Sequence, residues 1–207
     1  MNKDTLTITG IQPRRKSLQA LYIDGEFYAD VDRETLYLSG YQEEQTITHE
    51  ELCDLLYDSN VSRAKNKGLY LLGFKEYTQK GMVDKLRPET GEDAASEAVA
   101  WLAERGYIND EDYANRYAKE LSERKKLTGQ RLVFELRNKG VPDELARQAA
   151  SEIEEDSVET IAALLEKRYS NYNTDEKEKR RAFAALSRMG YSYSDIKKAL
   201  RDDSYDD

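Results

Sequence analysis

The chain has 207 residues, 39% hydrophobic and 35% charged, with 32 basic and 41 acidic side chains for a net charge of −9. No apolar run reaches the roughly 18–20 residues of a membrane span, the opening MNKDTLTITG lacks the apolar core of a signal peptide, and the one cysteine, Cys53, has no intrachain disulfide partner. With 3 Pro and 11 Gly, helices are favoured over a loop-rich all-β fold, and a soluble, cytoplasmic protein is expected.

Residues 1–46 alternate apolar with polar side chains in "LTITGIQ" and "LQALYIDGEFYADV". Asp24-Gly25 divides the second run, and Asp-Gly between alternating residues predicts a tight hairpin, since glycine supplies the positive φ the turn requires. "TLYLSGY" reads as a further strand of a small, three-strand antiparallel sheet. A short helix is predicted from about Thr48 to Tyr57, opened by the capping box Thr48-x-x-Glu51.

From residue 60 the apolar period lengthens from two to 3.6. Helices are predicted over 60–75, 78–87, 91–105, 110–126, 129–139, 142–154, 156–170, 175–189 and 193–201. Asn109 or Asp110, Asp175 and Ser192 are candidate N-caps. Pro88 should stop its helix at or before Arg87.

A repeat runs through these helices. Shifting residues 61–100 by fifty places Ala64, Leu71, Val83 and Leu86 on Ala114, Leu121, Val133 and Leu136. It also sets Ala95 and Val99 on Leu145 and Ala149. A further fifty brings Phe183, Leu186 and Gly190 onto Val133, Leu136 and Gly140, and one extra residue then aligns Ile196 and Leu200 with Leu145 and Ala149. "LVFELRNKGVPDELARQA" (132–149) has the outline of a base-reading helix-turn-helix, but as one of three tandem copies it is an architectural unit. The fold class expected is mainly α: three tandem three-helix repeats in an elongated, curved body, preceded by a small antiparallel β-rich extension.

Charge is distributed in blocks: −7 over residues 1–60, +4 over 113–150, −5 over 151–160 and +5 over 161–201. A local positive field can therefore survive the acidic total. The basic side chains are Arg116, Lys119, Arg124, Lys125, Lys126, Arg131, Arg137, Lys139 and Arg147 in the second copy, and Lys177, Lys179, Arg180 and Arg181 in the third. Taken alone they describe a solvated face that also suits helix C-termini. The acids of "NDED" (109–112) are a helix start rather than a metal site, and His49 is a solvated first-turn residue. Cys53, between Leu52 and Leu55, is expected in the core, and Trp101 on a packed apolar face. The fifteen tyrosines, Tyr113 and Tyr117 among them, are read as packing rather than base stacking. No phosphate loop, nucleophile triad or metal-ligand spacing is present, so neither an enzyme nor a cofactor is expected.

The stretches "YLLGFKEYTQKGMVDKL" (70–86), "LAERGYINDEDYANRYA" (102–118), "GQRLVFELRNKGV" (129–141) and "ALSRMGYSYSDIKKAL" (185–200) resemble the RecX family of regulatory proteins. The resemblance spans about 60–201, and the first 60 residues look like an extension carried by some members. Two departures lie in the first copy: the turn Arg87-Pro88-Glu89-Thr90-Gly91, and Gly81 where an acid is usual.

What the resemblance implies is a non-enzymatic regulator that binds the recombinase RecA, chiefly as its filament on single-stranded DNA. It would act as a monomer in the filament groove, with weak direct DNA binding, and limit filament extension, coprotease activity and strand exchange in DNA repair and the SOS response. Under that implication, contact with the filament and its phosphates falls to Arg116, Lys119, Arg124, Lys125, Lys126, Arg131, Arg137, Lys139, Lys177, Lys179, Arg180 and Arg181. The domains expected are the extension at 1–59, repeats at 60–109, 110–155 and 156–201, and a disordered acidic tail at 202–207. A general DNA-binding repeat protein and an adaptor unrelated to recombination stand as alternatives.

Overall fold

The computed structural model describes residues 5–15, 17–153 and 157–200, so the tail at 202–207 lies outside the described residues. Two units divide the chain, Met1–Ile108 and Asn109–Asp207.

In the first unit β1 (Thr5–Pro13), β2 (Leu18–Ile23) and β3 (Glu26–Asp32) are antiparallel, and Asp24 and Gly25, with φ of 50° and 89°, form the predicted hairpin turn. Ile8, Leu21, Val31 and Ile47 lose all exposure beneath the sheet, so its inward face is the core. The segment expected as a further strand is instead the helix α1 (Arg33–Ser39). Local capping overrides its alternation: the Asp32 carboxylate accepts from the Thr35 amide at 3.2 Å, and Gly40 ends the helix at φ 76°. The strand missed is β4 (Thr46–Thr48), which pairs with β1 and makes the order β3-β2-β1-β4. Three residues are too few to show a period.

The two helices expected over Thr48–Tyr57 and 60–75 are one, α2 (His49–Leu72), and the predicted capping box opens it. Asp58, Ser59 and Asn60 do not break it, and the buried Ser59 hydroxyl accepts from the Asp32 amide at 2.8 Å, which ties α2 to the end of β3. Leu52, Leu55 and Ser59 form the buried stripe, and Cys53, about 100° round the helix from Leu52, is exposed rather than in the core. The helix α3 (Gln79–Thr90) runs through Pro88, contrary to expectation. Pro88 is exposed, as is Asp84, whose carbonyl loses an amide that solvent can replace, and Gly91 closes the turn by donating to the Arg87 carbonyl at 3.0 Å. Helix α4 (Glu92–Glu104) packs on α2 at Gly68, where an added Cβ would lie 2.7 Å from a methyl of Leu102.

The second unit contains α5 (Asp110–Lys125), α6 (Gly129–Asn138), α7 (Asp143–Ser151), α8 (Ser157–Arg168), α9 (Glu176–Met189) and α10 (Tyr193–Ala199). Asn109, Asp175 and Ser192 cap α5, α9 and α10 as predicted. Burial corrects the alignment of the copies. Leu132, Leu136, Val141, Ala146 and Ala149 correspond to Ala182, Leu186, Tyr191, Ile196 and Ala199 at a spacing of fifty throughout, all of them buried. The extra residue assigned to the third copy is therefore unnecessary. The offset lies at the first copy, which is one residue shorter than the second: Met82 and Leu86 match Leu132 and Leu136, but the buried Ala95 and Ala98 match Ala146 and Ala149 one residue later.

Candidate nucleic-acid and partner interface

The arrangement starts from α9. Ala182 and Leu186 point into the core, which turns Lys177, Arg180, Arg181, Ala184 and Arg188 outward on one helical face. These residues line a groove of about 620 Å³ with Tyr169 and Glu176. The two alanines, Ala184 and Ala185, keep its floor low. An adjoining groove of about 350 Å³ shares Tyr169, Ala185 and Arg188 and adds Arg131 from α6 and Arg168 from the last turn of α8. Together they form a channel with Arg131, Arg168, Lys177, Arg180, Arg181 and Arg188 along it and one carboxylate, Glu176, in its lining.

Pairing distinguishes these cations. Arg131 is held by Glu135 and lies over the Phe134 ring at 5.0 Å. Among the described residues, none of Arg168, Lys177, Arg180, Arg181 and Arg188 has a carboxylate partner. Arg188 does donate to the Ala184 carbonyl at 3.1 Å, along its own helix. A run of cations without counter-charges is a site of raised positive potential, suited to a polyanion.

The second-copy residues are placed differently. Arg124 pairs with Glu120, Lys119 lies 3.9 Å from Glu123, and Arg137 lies 3.2 Å from Asp143, which also takes Arg147 at 2.7 Å. Arg116 donates to the Asp112 carbonyl at 3.3 Å, and Lys139 sits 5.7 Å from the Tyr117 ring centroid. Lys125 is exposed, and Lys126 is the half-buried C-cap of α5 in a left-handed conformation at φ 57°. Acids one turn away thus damp much of this surface, and only Arg131 of the set reaches the channel. Lys179 is on another face of α9, half-buried and 4.0 Å from Glu176.

Arg168 and Arg188 are the channel cations, and Tyr169 the channel aromatic, that the sequence reading did not single out. Arg188, eleven positions after Lys177, was legible as part of the same helical stripe. Arg168 and Tyr169 come from α8 and the turn after it, and only packing brings them to α9.

Tyr113 and Tyr117 are half-buried with ring centroids 5.8 Å apart, in keeping with a packing role. Trp101 is half-buried too, with the Arg105 guanidinium 4.1 Å from its ring centroid and Tyr107 stacked at 6.3 Å. Among the described residues no cluster of three or more His, Cys, Asp or Glu could hold a metal ion, and no helix is long and apolar enough to cross a membrane.

Comparison with known proteins follows the same division of the chain. The family model for the second three-helix domain of RecX matches residues 109–149, and that for the third matches 154–200. Regulatory protein RecX of Caldanaerobacter subterraneus subsp. tengcongensis is 31% identical over 199 residues, spanning 94% of this chain and 98% of its own. Its counterpart in Bacillus cereus (strain ATCC 14579) is 31% identical over 205 residues, 95% of this chain and 76% of that protein. A crystal structure of RecX from Lactobacillus salivarius superposes with a TM-score of 0.60 at 27% identity, over 69% of this chain and 95% of that one. Another crystal structure of a regulatory protein RecX covers 95% of this chain and 99% of its own at a TM-score of 0.67, and at 19% identity it speaks for the fold. This chain belongs to the RecX family of regulatory proteins.

Proposed function

We propose that the protein binds RecA, chiefly as the filament on single-stranded DNA, and restrains its ATP hydrolysis, strand exchange and coprotease activity. Family membership supports a regulatory role, and the observation that carries the finer reading is the channel of cations without acidic partners around α9. A nucleoprotein filament presents phosphates and acidic side chains at regular intervals. Several modest contacts to such a lattice add to a firm hold without any one of them being strong. In this proposal the protein acts by binding, as a monomer in the cytoplasm. In the same proposal an extension at 1–59 precedes repeats at 60–109, 110–155 and 156–201, with α2 running unbroken across the first of these boundaries.

The test compares binding to RecA on single-stranded DNA, to RecA alone and to single-stranded DNA alone. The filament should be bound best. Arg180→Glu with Arg181→Glu should weaken both that binding and the inhibition of filament-dependent ATP hydrolysis, with the circular dichroism spectrum unchanged. The five unpaired cations limit the salt slope on naked single strands to about −3.5, at roughly −0.7 per phosphate neutralised. If the filament is bound no better than either component, the proposal fails.

A further inference from the structure

A second groove, of about 720 Å³, lies wholly within the first unit, between α1, α2 and α4. Its wall is opposite in character to the channel of the second unit. Glu34 comes from α1, Glu51, Asp54 and Asp58 from one face of α2, and Glu97 from α4, against a single cation, Lys65. Two of the five carboxylates are engaged: Glu51 in the capping box of α2, and Glu97 by the Tyr57 hydroxyl at 2.8 Å with Lys65 at 3.9 Å. Glu34, Asp54 and Asp58 have no cationic partner among the described residues. Between these acids the floor carries the apolar Leu55, Val61, Leu69 and Trp101 beside the polar Thr35, Ser39, Ser62 and Asn66, and the Lys65 ammonium lies 5.5 Å from the Trp101 ring centroid. At the lip stands Leu38, a large aliphatic side chain that is 74% exposed.

We propose that this groove docks a cationic, amphipathic segment of a protein partner, an apolar side chain packing between Leu38 and Trp101 while lysine or arginine side chains meet Glu34, Asp54 and Asp58. Charge complementarity selects the occupant. The net negative wall repels nucleic acid phosphates, and the apolar side chains within it give a free metal ion nothing to bury. An exposed leucine at the rim of a partly apolar cleft gains most when a neighbouring chain covers it. The surrounding acids speed the encounter and choose the sign of the partner. Tyr41 and Tyr57 register the same field: burial and then Glu51 and Asp54 raise the hydroxyl pKa of Tyr41, while the Glu97 hydrogen bond, burial and nearby acids including Asp58 raise that of Tyr57. The inference uses residues of the first unit alone, so it stands or falls separately from the reading of the cationic channel.

The chain contains one tryptophan, and it lines this groove, so Trp101 emission reports on occupancy directly. The probe is a short tryptophan-free peptide with lysine and leucine at helical spacing, titrated into the full-length protein. Comparison peptides carry glutamate for lysine, or alanine for leucine. A saturable change in Trp101 emission is expected with the first peptide, weakened by added salt, absent with the glutamate peptide and reduced with the alanine peptide. Asp54→Asn with Asp58→Asn, and separately Leu38→Ser, should each weaken binding about tenfold. All three side chains are exposed, so the variants keep their fold, and Glu144→Gln in the second unit should bind as the parent does. Failure of Trp101 to respond, or equal affinity of the parent and the Asp54/Asp58 variant, would overturn the proposal. So would emission that tracks the protein's own concentration together with a dimer in sedimentation, since the occupant would then be a second copy.

Discussion

Replacing Gly190 with alanine tests how the second and third copies are locked together. Gly190 ends α9 at φ 102°, a region that L residues enter at a cost of about 1–2 kcal/mol. Space is the second problem. A methyl built on Gly190 would overlap the Thr128 carbonyl oxygen and come within 3.0 Å of the Arg131 Cβ, while the Thr128 amide donates to the Met189 carbonyl at 2.9 Å. The obstructing atom is backbone, so the α9–α10 turn must retreat from the start of α6. That retreat gives up a hydrogen bond worth about 1 kcal/mol and loosens Met189 from Leu121, Leu127 and Leu132. The expected loss is about 3 kcal/mol, roughly 10–20 °C in melting temperature for a unit of this size. Gly106→Ala is the control: its φ is 74° but nothing lies within 4 Å of an added Cβ, so it carries the conformational penalty alone. Chemical denaturation followed by far-ultraviolet circular dichroism separates the two. Equal penalties for Gly190→Ala and Gly106→Ala would refute the locking contact.

Leu136→Ala and Leu186→Ala, at equivalent and fully covered positions, should each destabilise by about 2–5 kcal/mol in urea titrations. Thr48→Ala should lower stability by about 1 kcal/mol through the lost cap of α2. The bonds from Thr48 hold the Glu51 carboxyl below its ordinary range, so in that range the unfolded chain binds more protons than the folded one. The Glu51 contribution is therefore present above the usual carboxylate pKa and fades as pH falls through the lowered value, and the stability difference between the parent and Glu51→Gln should shrink in acid. Arg168→Glu should weaken filament binding as strongly as Arg180→Glu in a pull-down, whereas Lys119→Glu, off the channel and beside Glu123, should have little effect.

Much of the fold was legible because its signals are local. The capping box at Thr48, the Asp24-Gly25 hairpin and the caps at Asn109, Asp175 and Ser192 each depend on atoms a few residues apart. "TLYLSGY" alternates like a strand, yet Asp32 and Gly40 bracket it as a helix; two helices were expected to either side of residues 58–59, yet α2 runs through them and the Ser59 hydroxyl accepts from the Asp32 amide. In the first place local caps outweighed the alternation, and in the second a helix continued where an amide of another element bonds its buried serine. The candidate site was legible by halves: the basic stripe of α9 follows from helical spacing, but neutralisation depends on neighbours. Arg137 seemed as available as Arg180 until Asp143, across a turn, was found beside it.

The residues by themselves determined the helical repeat and its period of about fifty residues, since buried positions recur with the chain's own geometry, and the motifs at 70–86, 102–118, 129–141 and 185–200 carried the resemblance to the RecX family that the comparisons bear out. Only the tertiary structure decided which cations remain uncompensated, that Arg168 joins the α9 stripe, and that acids from three helices of the first unit surround a partly apolar groove. Those features arise where separate helices meet, and no spacing along one helix records which neighbour it will have.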